Sequence, residues 1–381
     1  MLGPALALLL AAAAPHLAST EARIGVFEDQ MTLTPGQVQF AATHYAGSQK
    51  QTRSQVQALK AVNPDYFVLQ YRLAIGLGVH TQIVDGDRWV NEWPDRVQER
   101  WFFHRSGKRE YMKQWGWYLM NTDDASWRAT FTAQLKKQIA DTHADGAFLD
   151  SASIPNEFGG SSWTPRLPDL DIPFENAWRA KLERWLPFVQ ARIGKPVIAN
   201  AGTLITTRDH TDYSHVAGIM IESFALNLAP FDWNLELTRA WSLVQKQRIV
   251  ICQAYPQSAG DRVFALASYL LVKGDRTFLN LRTTMAPEWY PEYDVDLGAP
   301  AGPPKLSQSG LSTRAFAKGL VVVNATDSPQ PLSAPPGYEL VTPQGGGAVP
   351  DSGVLPTSWR LVRSAPPAVL QPRTAAVLSS G

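Results

Sequence analysis

The sequence is almost free of cysteine, since Cys252 is the one cysteine among 381 residues. An intramolecular disulfide is therefore impossible. The thiol ends the apolar run 249–252, where a small buried hydrophobic residue is expected. A catalytic thiol needs a base and a positive environment, and the neighbouring sequence does not supply this combination. We predict that Cys252 is a core residue.

Excess charge of either sign is also missing, because 35 lysines and arginines stand against 34 aspartates and glutamates, for a net charge of +1. A chain with so balanced a charge does not attract polyanions. We therefore exclude nucleic acid and an anionic membrane surface as the main partner.

Several catalytic signatures are absent as well. The sequence has no HExxH pattern, and its closest histidine pair, His210 and His215, is predicted on a loop, so we expect no metal site and no cofactor. A GxSxG motif is missing, which removes the commonest esterase signal. The segment Gly76-Leu77-Gly78 lacks the third glycine of a dinucleotide fingerprint. These absences argue against metalloprotease, esterase and nicotinamide chemistry.

A long hydrophobic run is lacking too. The apolar stretch 2–14 is too short to span a bilayer comfortably, and small residues follow it at 18–22, a pattern typical of a secretory signal peptide. We predict that residues 1–22 are a signal peptide and that the mature chain is secreted or periplasmic, without stable membrane insertion. The alternative for this segment is an uncleaved anchor or a buried helix.

The most informative feature that is present is the run Asp145–Asp150, in which a short apolar stretch ends in a carboxylate. The run 217–224 repeats this pattern and carries Glu222. A buried parallel strand that delivers an acid at its carboxyl end is typical of the mouth of an α/β barrel. Two such carboxylates are the minimum set for hydrolysis of a glycosidic bond.

Strand-like runs alternate with amphipathic helical stretches between residues 23 and 282. The strand candidates are 24–27, 66–70, 117–120, 147–149, 197–199, 219–221, 249–252 and 277–279. Eight strands separated by helices predict an α/β fold, a (β/α)8 TIM barrel over residues 23–299, with a long loop excursion at 75–114. After the Pro/Gly-rich segment 299–304 helical periodicity ends, and short strand runs predict a small C-terminal antiparallel β-sandwich domain over residues 305–381.

Polar residues follow every predicted barrel strand, where the chemistry of such barrels is assembled. Their acids and amides are suited to holding sugar hydroxyl groups. The candidate substrate-binding residues are Glu28, Asp29, Gln70, Tyr71, Arg72, Asn121, Asn200, Gln253, Tyr255, Asn280 and Arg282.

Some of these residues have a second, structural interpretation. Glu28 and Asp29 are equally explained as loop caps, and Arg72 and Arg282 as partners of carboxylates at the mouth. Asp123 or Asp124 is better explained as the cap of a helix that begins near 126. For Asp150 and Glu222 a structural ion pair is the alternative, but because burying an unpaired charge is costly, we place both in a cleft.

Aromatic residues are abundant, with 13 tryptophans and 11 tyrosines. Rings on loops can stack on the C–H faces of sugars. We predict this position for Trp89, Trp93, Trp101, Trp115, Trp163, Trp233, Trp289, Tyr290 and Tyr293. The helical spacing of Trp178, Trp185 and Trp241 predicts ordinary packing instead.

The runs Asp145–Asp150, 196–200, 218–222 and 319–324 together resemble glycoside-hydrolase-like barrels related to glycoside hydrolase family 114, the endo-α-1,4-polygalactosaminidase group. The resemblance covers most of the mature chain in order and spacing. It implies a (β/α)8 barrel with a nucleophilic aspartate on strand four, an acid/base glutamate on strand six, and retention of configuration. These roles fall on Asp150 and Glu222. The excursion 75–114 has no counterpart, so no substrate is implied.

The resulting hypothesis is a secreted glycoside hydrolase that cleaves O-glycosidic bonds of a poly- or oligosaccharide. The alternative is a catalytically inactive glycan-binding barrel that keeps the aromatic cleft without a matched acid pair. The distance between the two carboxyl groups tests the hypothesis, because a separation much beyond about 10 Å fits neither hydrolytic geometry.

Overall fold

A closed barrel of eight parallel strands forms the centre of the computed structural model. The structure describes residues 22–78, 82–84, 87–90, 96–202 and 209–380, together with residues 17, 20, 94 and 204. The barrel strands are β1 (Gly25–Glu28), β2 (Gly47–Gln49), β3 (Phe67–Leu73), β4 (Gly146–Asp150), β5 (Val197–Asn200), β6 (Gly218–Glu222), β7 (Ile249–Ala254) and β8 (Thr277–Leu281). Each strand pairs with the next in the chain, and β1 also pairs with β8. The predicted barrel is confirmed.

Helices cover the outside of the barrel. They are α1 (Pro35–His44), α2 (Arg53–Val62), α3 (Ala125–Thr142), α4 (Ile172–Ile193), α5 (Pro230–Gln245) and α6 (Ala259–Val272). Asp124 accepts hydrogen bonds from the N–H groups of Ser126 and Trp127 at the start of α3, which confirms the capping interpretation. No helix in the described ranges is long and apolar enough to cross a bilayer.

One predicted barrel strand is wrong. The run 117–120 forms the strand Trp117–Leu119, which belongs to a separate antiparallel sheet with Gly76–Gly78, Tyr111–Met112 and Trp163–Thr164, here called the insert sheet. The barrel position is taken by β2, whose three residues Gly-Ser-Gln are buried although none is hydrophobic. Because this strand has no apolar pattern, the sequence could not reveal it. The exchange leaves Asp150 on the fourth strand and Glu222 on the sixth.

The remaining elements of the excursion that follows β3 are short. Two hairpins pair Gln82–Val84 with Asp87–Val90 and His104–Arg105 with Lys108–Arg109, and a 3-10 turn spans Glu99–Trp101. Further 3-10 turns cover Pro155–Phe158, Gly160–Ser162, Tyr213–His215 and Pro291–Asp294. The predicted signal peptide lies outside the described residues except for Leu17, Thr20 and residue 22. Leu17 packs at the barrel interior, and the Thr20 N–H donates to the Asp275 carbonyl at 2.8 Å.

The inward side chains of the barrel form an apolar layer that supports the mouth. Because side chains alternate along a strand, every second residue of each strand points inward. The buried interior cluster contains Phe27, Phe67, Leu69, Tyr71, Phe148, Ile198, Met220, Ile249, Ile251 and Phe278. Cys252 is fully buried, as predicted. Its strand neighbour Ile251 points inward, so Cys252 faces outward and packs in the large core between the barrel strands and the helices.

A five-stranded antiparallel sheet follows the barrel. Its strands are β9 (Ser312–Phe316), β10 (Gly319–Asn324), β11 (Tyr338–Gln344), β12 (Arg360–Ser364) and β13 (Thr374–Ser380), in the order β9-β10-β13-β11-β12. Two-stranded ribbons pair Gln330–Pro331 with Val369–Leu370 and Glu288–Trp289 with Gly347–Ala348.

The two faces of this sheet have different partners. Val321, Val323 and Val377 share the large core that includes α6, whereas Val322 and Leu378 pack with Leu370. Arg314 of β9 donates hydrogen bonds to the carbonyls of Leu271 and Lys273 at the end of α6, at 2.8 and 2.6 Å. The sheet is thereby attached to the barrel, while the domain bounds at 299 and 305 stay a prediction.

Candidate active site

Three polar side chains meet at the centre of the barrel mouth. Asp150, Asn200 and Glu222 are the last residues of β4, β5 and β6. Each lies two residues after an inward apolar residue of its own strand and therefore points inward. The carboxyl ends of neighbouring parallel strands thus bring them together.

The Asn200 side chain bridges the two carboxylates. Its Nδ2 lies 2.8 Å from Oδ1 of Asp150 and 2.9 Å from Oε2 of Glu222. Those two oxygens are therefore no more than about 5.7 Å apart, the sum of the two legs. The orientation of the amide is set by the N–H of Gly202, which donates to Asn200 Oδ1 at 3.0 Å.

Asp150 receives two further hydrogen bonds. The Tyr71 hydroxyl donates to Oδ2 at 2.6 Å, and the Ser151 N–H donates to Oδ1 at 2.8 Å. Burial and the adjacent Asp150 carboxylate raise the pKa of Tyr71 well above its usual value, so Tyr71 remains a donor. The Asp150 carboxylate consequently accepts hydrogen bonds from three donors.

Glu222 has a second donor at the end of a chain of polar groups. The Tyr255 hydroxyl donates to Oε1 at 2.7 Å, Gln253 Nε2 donates to the Tyr255 oxygen at 2.6 Å, and Asn280 Nδ2 donates to Gln253 Oε1 at 3.2 Å. Burial and the Glu222 carboxylate raise the pKa of Tyr255, which keeps its proton for this bond. The predicted residues of β7 and β8 therefore position Glu222.

Lys50 is a component of the mouth that the sequence reasoning missed. It directly follows β2, has a left-handed φ of 57° and lies with Nζ 4.9 Å from the centroid of the Tyr71 ring. Burial alone would lower the pKa of Lys50, but the carboxylates of Asp29, Asp150 and Glu222 outweigh it and raise the pKa. Lys50 is therefore a permanent cation beside the acids. No sequence signal marked it, because its strand was invisible.

Asp29 and Arg282 complete this side of the mouth. Asp29 Oδ1 lies 3.4 Å from Lys50 Nζ, and Oδ2 lies 3.8 Å from Arg282 Nη1. Arg282 also donates to the Gln30 carbonyl at 3.2 Å. Arg282 thus acts as the partner of a mouth carboxylate, the structural interpretation that the sequence left open.

A cavity of about 450 Å³ opens next to the acid pair. Its lining includes the hydrogen-bonded group Asp150, Asn200 and Glu222 and an aromatic group, Trp115, Trp117 and Phe158. The lining residues are Tyr71, Leu73, Gly78, Trp115, Gly116, Trp117, Asp150, Ser151, Ser153, Phe158, Asn200, Gly202 and Glu222.

The expectation of a mouth position for Gln70 and Arg72 is corrected. Both occupy the outward face of β3 and are buried against α3. Arg72 Nη2 donates to Gln134 at 2.7 Å, and Gln70 Oε1 accepts from Thr142 at 2.9 Å. The reason is strand alternation, since Phe67, Leu69 and Tyr71 take the inward positions.

Asn121 and Glu28 also lie away from the mouth. Asn121 follows a strand of the insert sheet, and its N–H donates to the Trp101 carbonyl at 2.7 Å. Glu28 faces outward from β1 and is 3% exposed, and its Oε1 has no hydrogen-bond partner among the described residues. Burial, reinforced by Glu288 and Asp29 against the opposing effect of Arg282, raises the pKa of Glu28 to about 8.

The Glu28→Gln variant is expected to gain stability relative to wild type as pH rises from 5 to 8. Because the folded-state pKa lies above the unfolded value of 4.5, the folded protein binds the extra proton, and the stability associated with neutral Glu28 is lost as pH rises towards 8. Glutamine stays neutral. At about 1.4 kcal/mol per pKa unit, the relative gain is a few kcal/mol. Urea unfolding at pH 5 and 8 measures it, with the exposed Glu339→Gln as control. A difference in the free energy of unfolding between variant and wild type that is the same at both pH values would contradict the prediction.

Most loop aromatics are buried, contrary to expectation. Trp101, Trp163, Trp233, Trp289, Tyr290 and Tyr293 are all at most 8% exposed and pack in the core. The side chains of Trp89 and Trp93 lie outside the described residues. Trp115 is 54% exposed and lines the cavity. Trp178 and Trp185 are buried in the core, as their helical spacing predicted.

Metal-ligating side chains do not gather into a site in the described part of the chain. No group of three histidine, cysteine, aspartate or glutamate residues there could hold an ion. His215 instead lies 3.3 Å from Asp212 on the surface.

Comparison with known proteins gives one family. The family model described as "Hypothetical glycosyl hydrolase family 15" matches residues 60–320, more than half of the chain. No curated protein matches.

Among solved structures, similarity extends to a maltogenic α-amylase from Thermotoga neapolitana (10% identity, 93% of this chain and 98% of that chain, TM-score 0.45). It also extends to an α-amylase from Malbranchea cinnamomea (9% identity, 94% and 97%, TM-score 0.46). A family 30 xylanase from Clostridium acetobutylicum is similar as well (11% identity, 95% and 97%, TM-score 0.40). Likenesses at this level assign no substrate.

Proposed function

Because the chain belongs to hypothetical glycosyl hydrolase family 15, we propose that it hydrolyses O-glycosidic bonds of a poly- or oligosaccharide with Asp150 and Glu222 and retains the anomeric configuration. The observation that carries the proposal is the Asn200 amide, which donates to both carboxylates. A single amide can bridge two acids only when they are held at close range on the same face of the mouth.

The spacing of the acids supports retention. Retaining glycosidases hold their two carboxyl groups about 5–5.5 Å apart, and inverting enzymes hold them about 6.5–9.5 Å apart to admit a water molecule. The bridged oxygens, one from each carboxyl group, lie within about 5.7 Å of each other, which is compatible with the shorter range. A carboxylate this close attacks the anomeric carbon directly.

The donor sets support a division of labour. Asp150 accepts three hydrogen bonds and lies near the Lys50 cation, both of which stabilise the anion that a nucleophile requires. Glu222 accepts from Tyr255 and Asn200 only, among the described groups. Its longer side chain and smaller set of donors suit a group that approaches the leaving oxygen and transfers a proton to it.

The reaction has two steps. Asp150 attacks the anomeric carbon while the bond to the leaving oxygen breaks, and Glu222 gives its proton to that oxygen. Water then attacks the anomeric carbon, Glu222 takes one water proton, and the bond to Asp150 breaks. Both acids return to their starting states, and one glycosidic bond has been exchanged for two hydroxyl groups.

The other inward groups are suited to holding the sugar. Asp29, Tyr71, Gln253 and Tyr255 surround the acid pair with carboxylate, hydroxyl and amide groups. Lys50 adds a cation that can donate to a hydroxyl group. The motif resemblance to glycoside hydrolase family 114 supports the same two roles. We also propose that residues 1–22 direct export and that the mature chain acts outside the cytoplasm.

A substrate screen tests the proposal. We expect the purified chain to release reducing ends from at least one member of a panel of soluble α- and β-linked polysaccharides. The first product, followed by proton NMR before mutarotation, is expected to have the anomeric configuration of the substrate. Product of the opposite configuration would contradict retention. Binding without cleavage across the panel would favour the glycan-binding barrel.

A further inference from the structure

Two groups of side chains line the cavity beside the acids. One is the hydrogen-bonded group Asp150, Asn200 and Glu222, and the other is an aromatic group in which Trp115 and Trp117 both contact Phe158. The two-step reaction uses the first group. The aromatic group takes no part in it and is available to a part of the substrate other than the reacting sugar.

Trp115 is the unusual residue of this aromatic group. It is the one tryptophan of the described residues that is exposed, at 54%, whereas its neighbours Trp117 and Trp163 are 2% and 1% exposed. The other exposed large hydrophobic residues of the described chain do not line this cavity. A large apolar ring exposed beside a site typically marks a contact with a ligand.

The Trp115 ring is held in place by its surroundings. Phe158 packs edge-on against it with centroids 5.6 Å apart and an interplanar angle of 88°, and Phe158 also packs edge-on against Trp117 at 6.2 Å. Gly116 lies in the turn that joins the insert-sheet strands Tyr111–Met112 and Trp117–Leu119. Its φ of 68° suits glycine, and its N–H donates to the Met112 carbonyl at 2.9 Å. Because the ring is already positioned, a ligand that stacks on it loses little free energy to ordering.

An occupant that contacts both groups needs hydroxyl groups for the first and an apolar face for the second. A pyranose ring next to the scissile bond satisfies this, because its C–H face stacks on an indole while its hydroxyl groups remain in water. We propose that Trp115 is the stacking platform of a second sugar subsite and that the substrate has at least one sugar ring beyond the ring bound at Asp150. This inference rests on the proposed function and assigns the residue that holds the second sugar of its substrate.

Affinity gel electrophoresis tests the platform without requiring turnover. Asp150→Asn and Asp150→Asn/Trp115→Ala chains would be run through gels containing soluble starch, xylan, polygalacturonate, glycol chitosan or polygalactosamine. We expect Trp115→Ala to weaken the strongest interaction about 10- to 100-fold, the worth of burying one aromatic ring. Trp115→Phe should restore most of it. Phe231→Ala is the matched control, since Phe231 is also 54% exposed but lies outside the cavity.

The outcomes separate this inference from the proposed function. Retardation that is equal with and without Trp115 overturns the platform and leaves the hydrolase proposal intact. If wild type is retarded by a polysaccharide but cleaves none, and Trp115→Ala removes the retardation, the platform is supported and the hydrolase proposal is overturned. A chain that no polysaccharide retards overturns the platform, and the release of reducing ends then decides the hydrolase proposal on its own. If Trp115→Ala slows the hydrolysis of aryl glycosides but leaves polysaccharide binding unchanged, the ring contacts an aromatic leaving group and the sugar subsite is refuted.

Discussion

Replacement of Asp150 by asparagine is expected to lower kcat by at least about 10⁴-fold, because the variant lacks the nucleophile that both steps of the reaction require. Asparagine has the same size, its amide oxygen can still accept from the Ser151 N–H and Asn200, and its NH2 group can donate to the Tyr71 oxygen, so the fold is expected to be retained. Initial rates on the polysaccharide that wild type degrades best, together with a thermal melt, measure the two effects separately.

Chemical rescue makes the Asp150 prediction specific to its role. In Asp150→Ala the space of the carboxylate is free, and azide added to an aryl glycoside should attack from that face and yield a glycosyl azide of inverted configuration. Asp145→Asn is the matched control at the opposite end of β4, where Asp145 pairs with Lys60 at 2.7 Å. We expect it to change kcat only a few-fold. An Asp150→Asn chain with near wild-type activity would refute the nucleophile assignment.

Replacement of Glu222 by glutamine is expected to lower kcat about 10²- to 10⁴-fold on substrates whose leaving group is a sugar hydroxyl, since such a group needs a proton as it departs. The rate of the first step on a nitrophenyl glycoside should fall far less, because nitrophenolate leaves without protonation.

The leaving-group comparison is the internal control for Glu222. A structural role would slow both substrates equally, and an equal loss would therefore contradict the acid/base assignment. Azide added to Glu222→Ala should yield a glycosyl azide of retained configuration, because it attacks the glycosyl-enzyme from the face that water uses. An inverted azide product from the Asp150 variant and a retained azide product from the Glu222 variant would distinguish the roles of the two acids.

The position of both acids could be predicted because each ends an uninterrupted apolar run. In a parallel barrel such a run is a strand, and its last residue lies at the mouth. The same reasoning identified Asn200, whose amide proved to connect the two acids. The chain also has enough repeats of this pattern to indicate a barrel, even though one of the eight predicted strands was wrong.

The second strand could not be predicted from local sequence. Its residues Gly47, Ser48 and Gln49 are buried because their neighbours β1 and β3 cover them, and not because they are apolar. Lys50 follows this strand, so its place beside Asp29 and Asp150 was hidden as well. Its left-handed backbone conformation also carried no sequence signal, since glycine would have been the expected residue there.

The sequence by itself determined the barrel, the antiparallel sheet that follows it, and the strand ends that carry Asp150 and Glu222, because these follow from apolar runs and their order. Only the tertiary structure decided which polar and aromatic side chains face the mouth. A barrel strand is buried on both faces, so the outward Arg72 finds hydrogen-bond acceptors on α3 while the inward Tyr71 finds Asp150 at the mouth. Likewise, Trp115 differs from the buried Trp163 only in what packs around it. Burial depends on neighbours distant in the chain, and only closure of the barrel supplies them.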